Sequence, residues 1–300
     1  MSFKHDLIVI LGPTASGKTQ LAVALAKRIN AAIISADSRQ VYRGMDLGTG
    51  KDLAVYEDIP HHLIDILDAG ETYHVARFRE DFHSALLSIR QQGKRAILCG
   101  GTGLYIQSVL QGLDYSAVPV NTTLRQSLNA LSVHALMQKL RELPIPTGFK
   151  PDTSTNKRLI RAIEIAEWCN RHPLPPTSYP PVPATLFGID PPVEVRRRRI
   201  TERLAQRLEG GLVAEVKGLL DSGIPPEKLI YYGLEYKYTT QYLLGELDYE
   251  LFFARLNTEI HRFAKRQMTY FRKMEKDGLE IHWLANGTTA DMVNQIVKVL

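Results

Sequence analysis

The segment Gly12-Pro13-Thr14-Ala15-Ser16-Gly17-Lys18-Thr19 narrows the folds open to this chain more than any other. It fits G-x-x-x-x-G-K-[ST] in full. It lies between a continuous apolar run of strand length, Leu7-Ile8-Val9-Ile10-Leu11, and a helical pattern from Lys18 to about Ile29. A strand leading through a glycine loop into a helix aims backbone N–H groups at one point before the helix N-terminus, where phosphate oxygens can accept them. Lys18 adds a point charge, and the Thr19 hydroxyl is placed to ligate Mg²⁺. The chain is expected to bind a small molecule with at least two linked phosphates, a nucleoside triphosphate being the default from this motif alone.

Further apolar runs extend the pattern. Ala31-Ala32-Ile33-Ile34-Ser35 leads into Asp37-Ser38, and Arg95-Ala96-Ile97-Leu98-Cys99 leads into Gly100-Gly101-Thr102-Gly103, with a helix fitting His74 to Gln92 and closed by Gly93. Fully apolar strands alternating with helices predict an α/β fold, a P-loop NTPase-like parallel sheet flanked by helices, with ligands at the carboxyl ends of the strands. The glycine loop, Asp37 and Thr102 would share that edge. A carboxylate there can accept a proton or hold a Mg²⁺-bound water; it can equally be a turn or cap residue with no chemistry.

From about Leu113 to Pro183 the strand signal gives way to helical patterns at Thr122–Leu131, Ser132–Leu143 with Ser132 as N-cap, and Thr155–Asn170. The expectation is a core of residues 1–112 and 184–300 and a mostly helical insertion, 113–183, leaving through the stiff proline-rich stretch His172–Pro183. A strand at Thr185–Ile189, helices at Val193–Leu208, Gly211–Ser222 and Tyr249–Met274, a strand at Leu279–Leu284 and a last helix complete the chain.

No apolar run approaches the roughly 20 residues that cross a bilayer, and Met1–Asp6 lacks a signal-peptide pattern, so no membrane partner and a cytosolic location are expected. Cys99 and Cys169 have no metal-ligand spacing and read as small core residues. The net charge of +5 is modest support for a polyanionic partner, and its distribution says more. Basic residues gather at Lys157, Arg158 and Arg161, at Arg196 to Arg199 with Arg203 and Arg207, and at Arg262, Lys265, Arg266, Arg272 and Lys273. In the last helix of these, Arg262, Lys265, Arg266, Thr269, Arg272 and Lys273 recur on one side, and Phe263, Gln267, Tyr270, Phe271 and Met274 fall towards the other. Such a stripe suits a phosphate backbone or a plain solvated face. Arg199, Arg203 and Arg207 repeat at four-residue spacing, so one could clamp a leaving pyrophosphate.

Together these segments resemble the tRNA dimethylallyltransferases, or tRNA isopentenyltransferases, in their bacterial form. The resemblance rests on the phosphate loop, on Ser35-Ala36-Asp37-Ser38-Arg39-Gln40-Val41-Tyr42-Arg43-Gly44-Met45-Asp46-Leu47-Gly48-Thr49, on Gly100-Gly101-Thr102-Gly103-Leu104-Tyr105, on Asn156-Lys157-Arg158-Leu159-Ile160-Arg161-Ala162-Ile163-Glu164 and on Ala264-Lys265-Arg266-Gln267, in the family's order over nearly the whole chain. It implies transfer of a dimethylallyl group from dimethylallyl diphosphate to N6 of the adenosine 3′ of the anticodon. Gly12 to Thr19 would then hold a prenyl diphosphate with Mg²⁺ on Thr19, in contact through water with Asp37. Asp37 would take the N6 proton, Arg203 would steady the pyrophosphate, and Thr102 would position the adenine. A flipped base implies a tunnel with Ser38, Arg39 and Gln40 at its entrance. Arg125, Lys157, Arg158, Leu159, Ile160 and Arg161 of the insertion, with Lys265 and Arg266, would grip the anticodon stem-loop. A monomer is the expected state.

Three positions depart from the family pattern: Arg39 stands where an apolar residue is usual, Gly233-Leu234-Glu235-Tyr236 where a glycine-tyrosine pair precedes a basic residue, and Tyr270 where tryptophan is common. The rival readings are a small-molecule kinase using the same Lys18, Thr19 and Asp37, an isopentenyltransferase of free adenine nucleotide, and a nucleotide-regulated RNA-binding protein without catalysis.

Overall fold

The structure, a computed structural model, describes residues 7–112, 114–174 and 179–300. It divides into two compact units, Met1–Leu110 with Pro181–Leu300, and Gln111–Pro180. The boundaries fall within a few residues of those expected. Residues 1–6, Leu113 and the middle of the proline connector, 175–178, lie outside the described residues.

The larger unit begins with Leu7–Leu11 (β1), Lys18–Ile29 (α1), Ala31–Ser35 (β2), His61–His62 (β3), Val75–Gln91 (α2), Arg95–Gly100 (β4) and Gly103–Leu110 (α3). The smaller unit holds Thr122–Asn129 (α4), Val133–Glu142 (α5) and Asn156–Cys169 (α6). The chain then returns through Ala184–Gly188 (β5), Val193–Glu209 (α7), Leu212–Asp221 (α8), Pro226–Tyr231 (α9), Leu234–Leu243 (α10), Tyr249–Lys276 (α11), Ile281–Trp283 (β6) and Thr289–Val299 (α12).

Among the described residues the strands form one sheet in the order β3-β2-β4-β1-β5-β6, with every pairing parallel. Side chains alternate across a strand. In β1, Leu7, Val9 and Leu11 therefore enter the core on one face, with Phe78 and Phe82 of α2 and Met268 and Phe271 of α11, while Ile8 and Ile10 enter the core on the other, with Leu21 and Leu25 of α1 and Ile296 of α12. Helices cover both faces, which is why β1 can be apolar throughout. Parallel strands put all their carboxyl ends on one edge, and β1 lies between β4 and β5. The loops after β1, β2 and β4 therefore open side by side.

Local signals set the helix ends. Ser132 Oγ accepts from Ala135 N at 3.2 Å and Asp248 Oδ1 from Leu251 N at 2.8 Å, each satisfying an N–H that the helix leaves unpaired. The expected His74 is the N-cap of α2, and Gly93 follows its end at φ +68°. In α11, Phe252, Leu256, Ile260, Ala264, Met268, Phe271 and Met274 form a buried stripe at helical spacing. Phe263 does not join it: expected on the packed side, it is 41% exposed.

The smaller unit has its own core, built on Leu128, Leu136, Leu140, Leu159, Ile160 and Ile163. Leu159 and Ile160, expected among the tRNA-binding residues, have their side chains buried in this core. Arg125 and Arg161 have a partner within the unit. The Glu164 carboxylate is almost wholly buried and must be paired there. Arg125 bonds it through Nε and NH2, and Arg161 bonds it through NH1 while its NH2 bonds the carbonyls of Tyr115 and Val118. Lys157 and Arg158 remain exposed, Arg158 pairing with Asp152 at 2.8 Å. Cys169 is half-buried rather than a core residue.

Candidate active site

At the carboxyl edge of the sheet a cavity of about 380 Å³ is lined by Thr14, Lys18, Thr19, Asp37, Thr102 and Arg203, among others. The glycine loop builds its floor. Gly17 is at φ +87° and Ala15 at φ +59°, a left-handed conformation costly for a residue with a Cβ and kept here by the loop's curl. Lys18 Nζ donates to the Pro13 carbonyl at 3.3 Å. Ser16 Oγ is buried and has no hydrogen-bond partner among the described residues.

The loops after β2 and β4 are tied to one another and to the floor. Thr102 N donates to the Ala36 carbonyl at 3.1 Å, and Thr102 Oγ1 accepts from Ser38 N at 3.2 Å. Asp37 Oδ1 accepts from Arg39 N at 2.9 Å, so the turn role open to this carboxylate is filled by one of its oxygens. Gln267 of α11 accepts from Thr14 N at 2.8 Å and donates from Nε2 to the Gly101 carbonyl at 3.0 Å. Both bonds are charge-free, the second is buried, and they fix the spacing between the two glycine loops.

The positive charge converges on the same space. Arg203 donates through NH2 to Asp52 at 2.8 Å and to the Gly50 carbonyl at 3.3 Å, and Arg207 faces Glu235 at 3.4 Å. Arg199, the third of the series, is exposed on the same helix and does not line the cavity. Burial pulls the Lys18 ammonium below its ordinary value, and Arg203 and Arg207 pull the same way against Asp37. Burial likewise lowers the Arg207 guanidinium and raises the Glu235 carboxyl. The lining cations Lys18, Arg39, Arg203, Arg207, Lys237 and Arg266 outnumber the lining carboxylates Asp37 and Glu235, so the site is one that an anion relieves. Cys99 also lines the cavity, but burial pushes its thiol up to about 12, so it is an inert wall.

The segment after β2 owes its shape to residues with no motif of their own. Lys51 is buried and donates to the Tyr42 carbonyl at 2.6 Å, to Asp46 at 2.7 Å and to Asp65. Glu215 accepts from the backbone N–H groups of Asp46, Leu47 and Gly48 and from the Tyr236 hydroxyl. Gln40 joins its side-chain amide to the Gly50 carbonyl at 3.2 Å. Within this frame Arg39 lies with its guanidinium carbon 5.2 Å from the centre of the Tyr231 ring, a stacking contact that accommodates its charge beside the cavity. Tyr270 seals the second glycine loop and gives its hydroxyl to Gln107 at 2.7 Å.

The two basic residues singled out on α11 part company. Arg266 lines the cavity, whereas Lys265 faces a separate groove with Asp190, Arg196, Arg197, Arg262 and Arg272. Neighbours on a helix point about 100° apart, so the Lys265-Arg266 pair presents two surfaces rather than one.

Comparison with known proteins follows this geometry. Residues 40–274 match the family model described as IPP transferase, and residues 5–57 match one described as isopentenyl transferase. A tRNA dimethylallyltransferase 2 of Porphyromonas gingivalis is 54% identical over 282 residues, covering 93% of each chain. The full-length tRNA isopentenylpyrophosphate transferase of Bacillus halodurans superposes with a TM-score of 0.71 at 33% identity, covering 99% of this chain and 97% of that one. A eukaryotic dimethylallyltransferase acting on tRNA shares the fold, with a TM-score of 0.74 at 24% identity over 93% of this chain and 73% of its own.

Proposed function

The chain belongs to the IPP transferase family, and from that membership we infer that it is a transferase that prenylates tRNA, taking a dimethylallyl group from dimethylallyl diphosphate to N6 of the adenosine 3′ of the anticodon. The observation that carries the donor assignment is the convergence of Lys18, Thr19 and Arg203 on the cavity above the glycine loop. In the reaction the bond between C1 of the allyl group and the diphosphate oxygen breaks, and the bond from N6 to C1 forms. The amino proton goes to Asp37, and pyrophosphate leaves. An exocyclic adenine amine is a poor nucleophile, so stabilising the leaving group is the larger demand, and preorganised cations supply it. With Asp37 Oδ1 held by Arg39 N, the carboxylate presents its other oxygen for the proton. Thr102, bonded to Ser38 N, sets the depth at which the base stops.

Thr19 and Asp37 bring hard oxygen donors to one cavity, which fits Mg²⁺, an ion that keeps several waters and takes few protein ligands. Thr19 would hold it directly and Asp37 through a water; when bound it shares the diphosphate charge. Lys157, Arg158 and Lys265 remain as exposed cations for stem-loop phosphates. No described helix is long and apolar enough to cross a membrane.

The test is incubation with dimethylallyl diphosphate, Mg²⁺ and unmodified tRNA, reading prenylated adenosine by mass spectrometry. ATP hydrolysis without a prenylated product would favour the kinase reading, and prenylation of free AMP in preference to tRNA would move the acceptor.

A further inference from the structure

The transferase reading gives the diphosphate to Lys18, Thr19 and Arg203 and leaves one half-buried ion pair of the same cavity without a task. Arg207 follows Arg203 by one turn of α7, Glu235 lies in the first turn of α10, and both line the cavity. Glu235 belongs to the segment Gly233-Leu234-Glu235-Tyr236 at the start of α10. Room for the pair is built in. A Cβ on Gly50 would overlap the Arg207 guanidinium, and this glycine is at φ +68°, so its lack of a side chain serves both the turn and the arginine.

The contact itself is slack. Arg207 NH1 stands 3.4 Å from Glu235 Oε1, against 2.8 Å for Arg203 on Asp52. Charged hydrogen bonds close to about 2.7–2.9 Å when nothing competes, and a loose pair drawn partly out of water recovers little of what desolvation costs. A guanidinium carries five N–H donors in a planar fork, so it can keep one on a carboxylate while offering others elsewhere.

Resting on the transferase reading, we propose that Arg207 is a second diphosphate-binding cation of the site and that Glu235 is its positioning residue. Glu235 holds the fork in the cavity before the donor arrives. The diphosphate then takes the remaining donors and leaves with the pyrophosphate product, returning Arg207 to Glu235 alone. The three cations Lys18, Arg203 and Arg207 thereby surround the leaving group from two elements, the helix of the glycine loop and α7.

The experiment measures binding of inorganic pyrophosphate with Mg²⁺ by calorimetry, with kcat and the KM values for dimethylallyl diphosphate and tRNA alongside. The proteins are wild type, Arg207→Gln, Arg207→Lys, the double variant Arg207→Gln with Glu235→Gln, and Lys18→Ala. Arg207→Gln is expected to weaken pyrophosphate binding by roughly thirtyfold or more, because it removes a contact and strands a carboxylate facing the anion. The double variant removes the stranded charge and should recover part of the loss, remaining about tenfold weaker than wild type. Arg207→Lys, which keeps the charge without the fork, should fall between, and the KM for dimethylallyl diphosphate should follow in every case while that for tRNA stays constant. A double variant as tight as wild type would make Arg207 a mere counter-charge and overturn the proposal, as would a tRNA KM rising in step. If Arg207→Gln does not fold, the lysine and double variants carry the same test. Loss at Lys18→Ala with none at Arg207 overturns this proposal alone; a wild-type protein that neither binds pyrophosphate nor prenylates tRNA overturns the reading beneath it.

Discussion

Asp37 illustrates how one side chain can hold two roles that sequence spacing left as alternatives. One oxygen closes a turn onto Arg39 N, and the other is left for chemistry. Asp37→Asn keeps an acceptor for the turn and removes the base, so kcat should fall by about 10²–10⁴-fold with tRNA affinity retained. A binding assay in which affinity falls with the rate would instead assign Asp37 to base placement. Gln267 has a different weight, because it satisfies Thr14 N and the Gly101 carbonyl at once. Gln267→Leu should strand both and cost about 1–3 kcal/mol in denaturant unfolding, with a raised KM for the donor. Glu164 belongs to the smaller unit. Burial alone would raise its carboxyl, but the bonds from Arg125 and Arg161 prevail and hold it below its ordinary 4.5. Its contribution to stability is therefore complete above that value and is lost as pH falls through the lower, folded value. Thermal melts of wild type and Glu164→Gln should converge as the pH drops below about 4.5 and separate above it, and a constant gap would contradict the linkage.

At the scale of elements, α11 carries the most information. Its buried stripe fixes which way each polar residue points, and it thereby separates Arg266 at the cavity from Lys265 at a second groove. Lys265→Ala should weaken tRNA binding and reduce the salt slope by about one phosphate contact, leaving saturated turnover alone. Arg266→Ala should affect turnover as well, because its side chain lines the cavity. Phe271→Ala, in the middle of the stripe, should cost about 3–5 kcal/mol in denaturant unfolding with no selective effect on either substrate. Amphipathic spacing made this helix legible in the sequence, yet Phe263 broke the pattern. Spacing assigns faces only relative to the helix, whereas the cavity that Phe263 borders exists only once α7 and α10 are packed beside it. β3, with two residues, and α10, whose aromatic and polar residues give no clear stripe, carried too little periodicity to be read.

For the whole molecule, the chain's own pattern determined the strand–loop–helix unit at Gly12–Thr19, the other apolar strands, the helical insertion and the presence of Asp37 and Thr102 at strand ends. These are short-range features, set by side-chain periodicity and by what glycine and proline allow the backbone to do. Tertiary structure decided how they meet. Strand order brings β4 between β1 and β2 and so lays three loops side by side. Gln267 reaches Thr14 across 253 positions, Glu215 folds a loop more than 160 residues earlier, and Lys51 is buried only because Asp46 and Asp65 come to it. Arg125 and Arg161, expected to face RNA, also meet Glu164 between them, a partner that spacing does not show. A local pattern records what a segment can become, but the partner of a buried charge or amide is chosen by the fold, because desolvation penalises every such group until a distant one arrives to pair it.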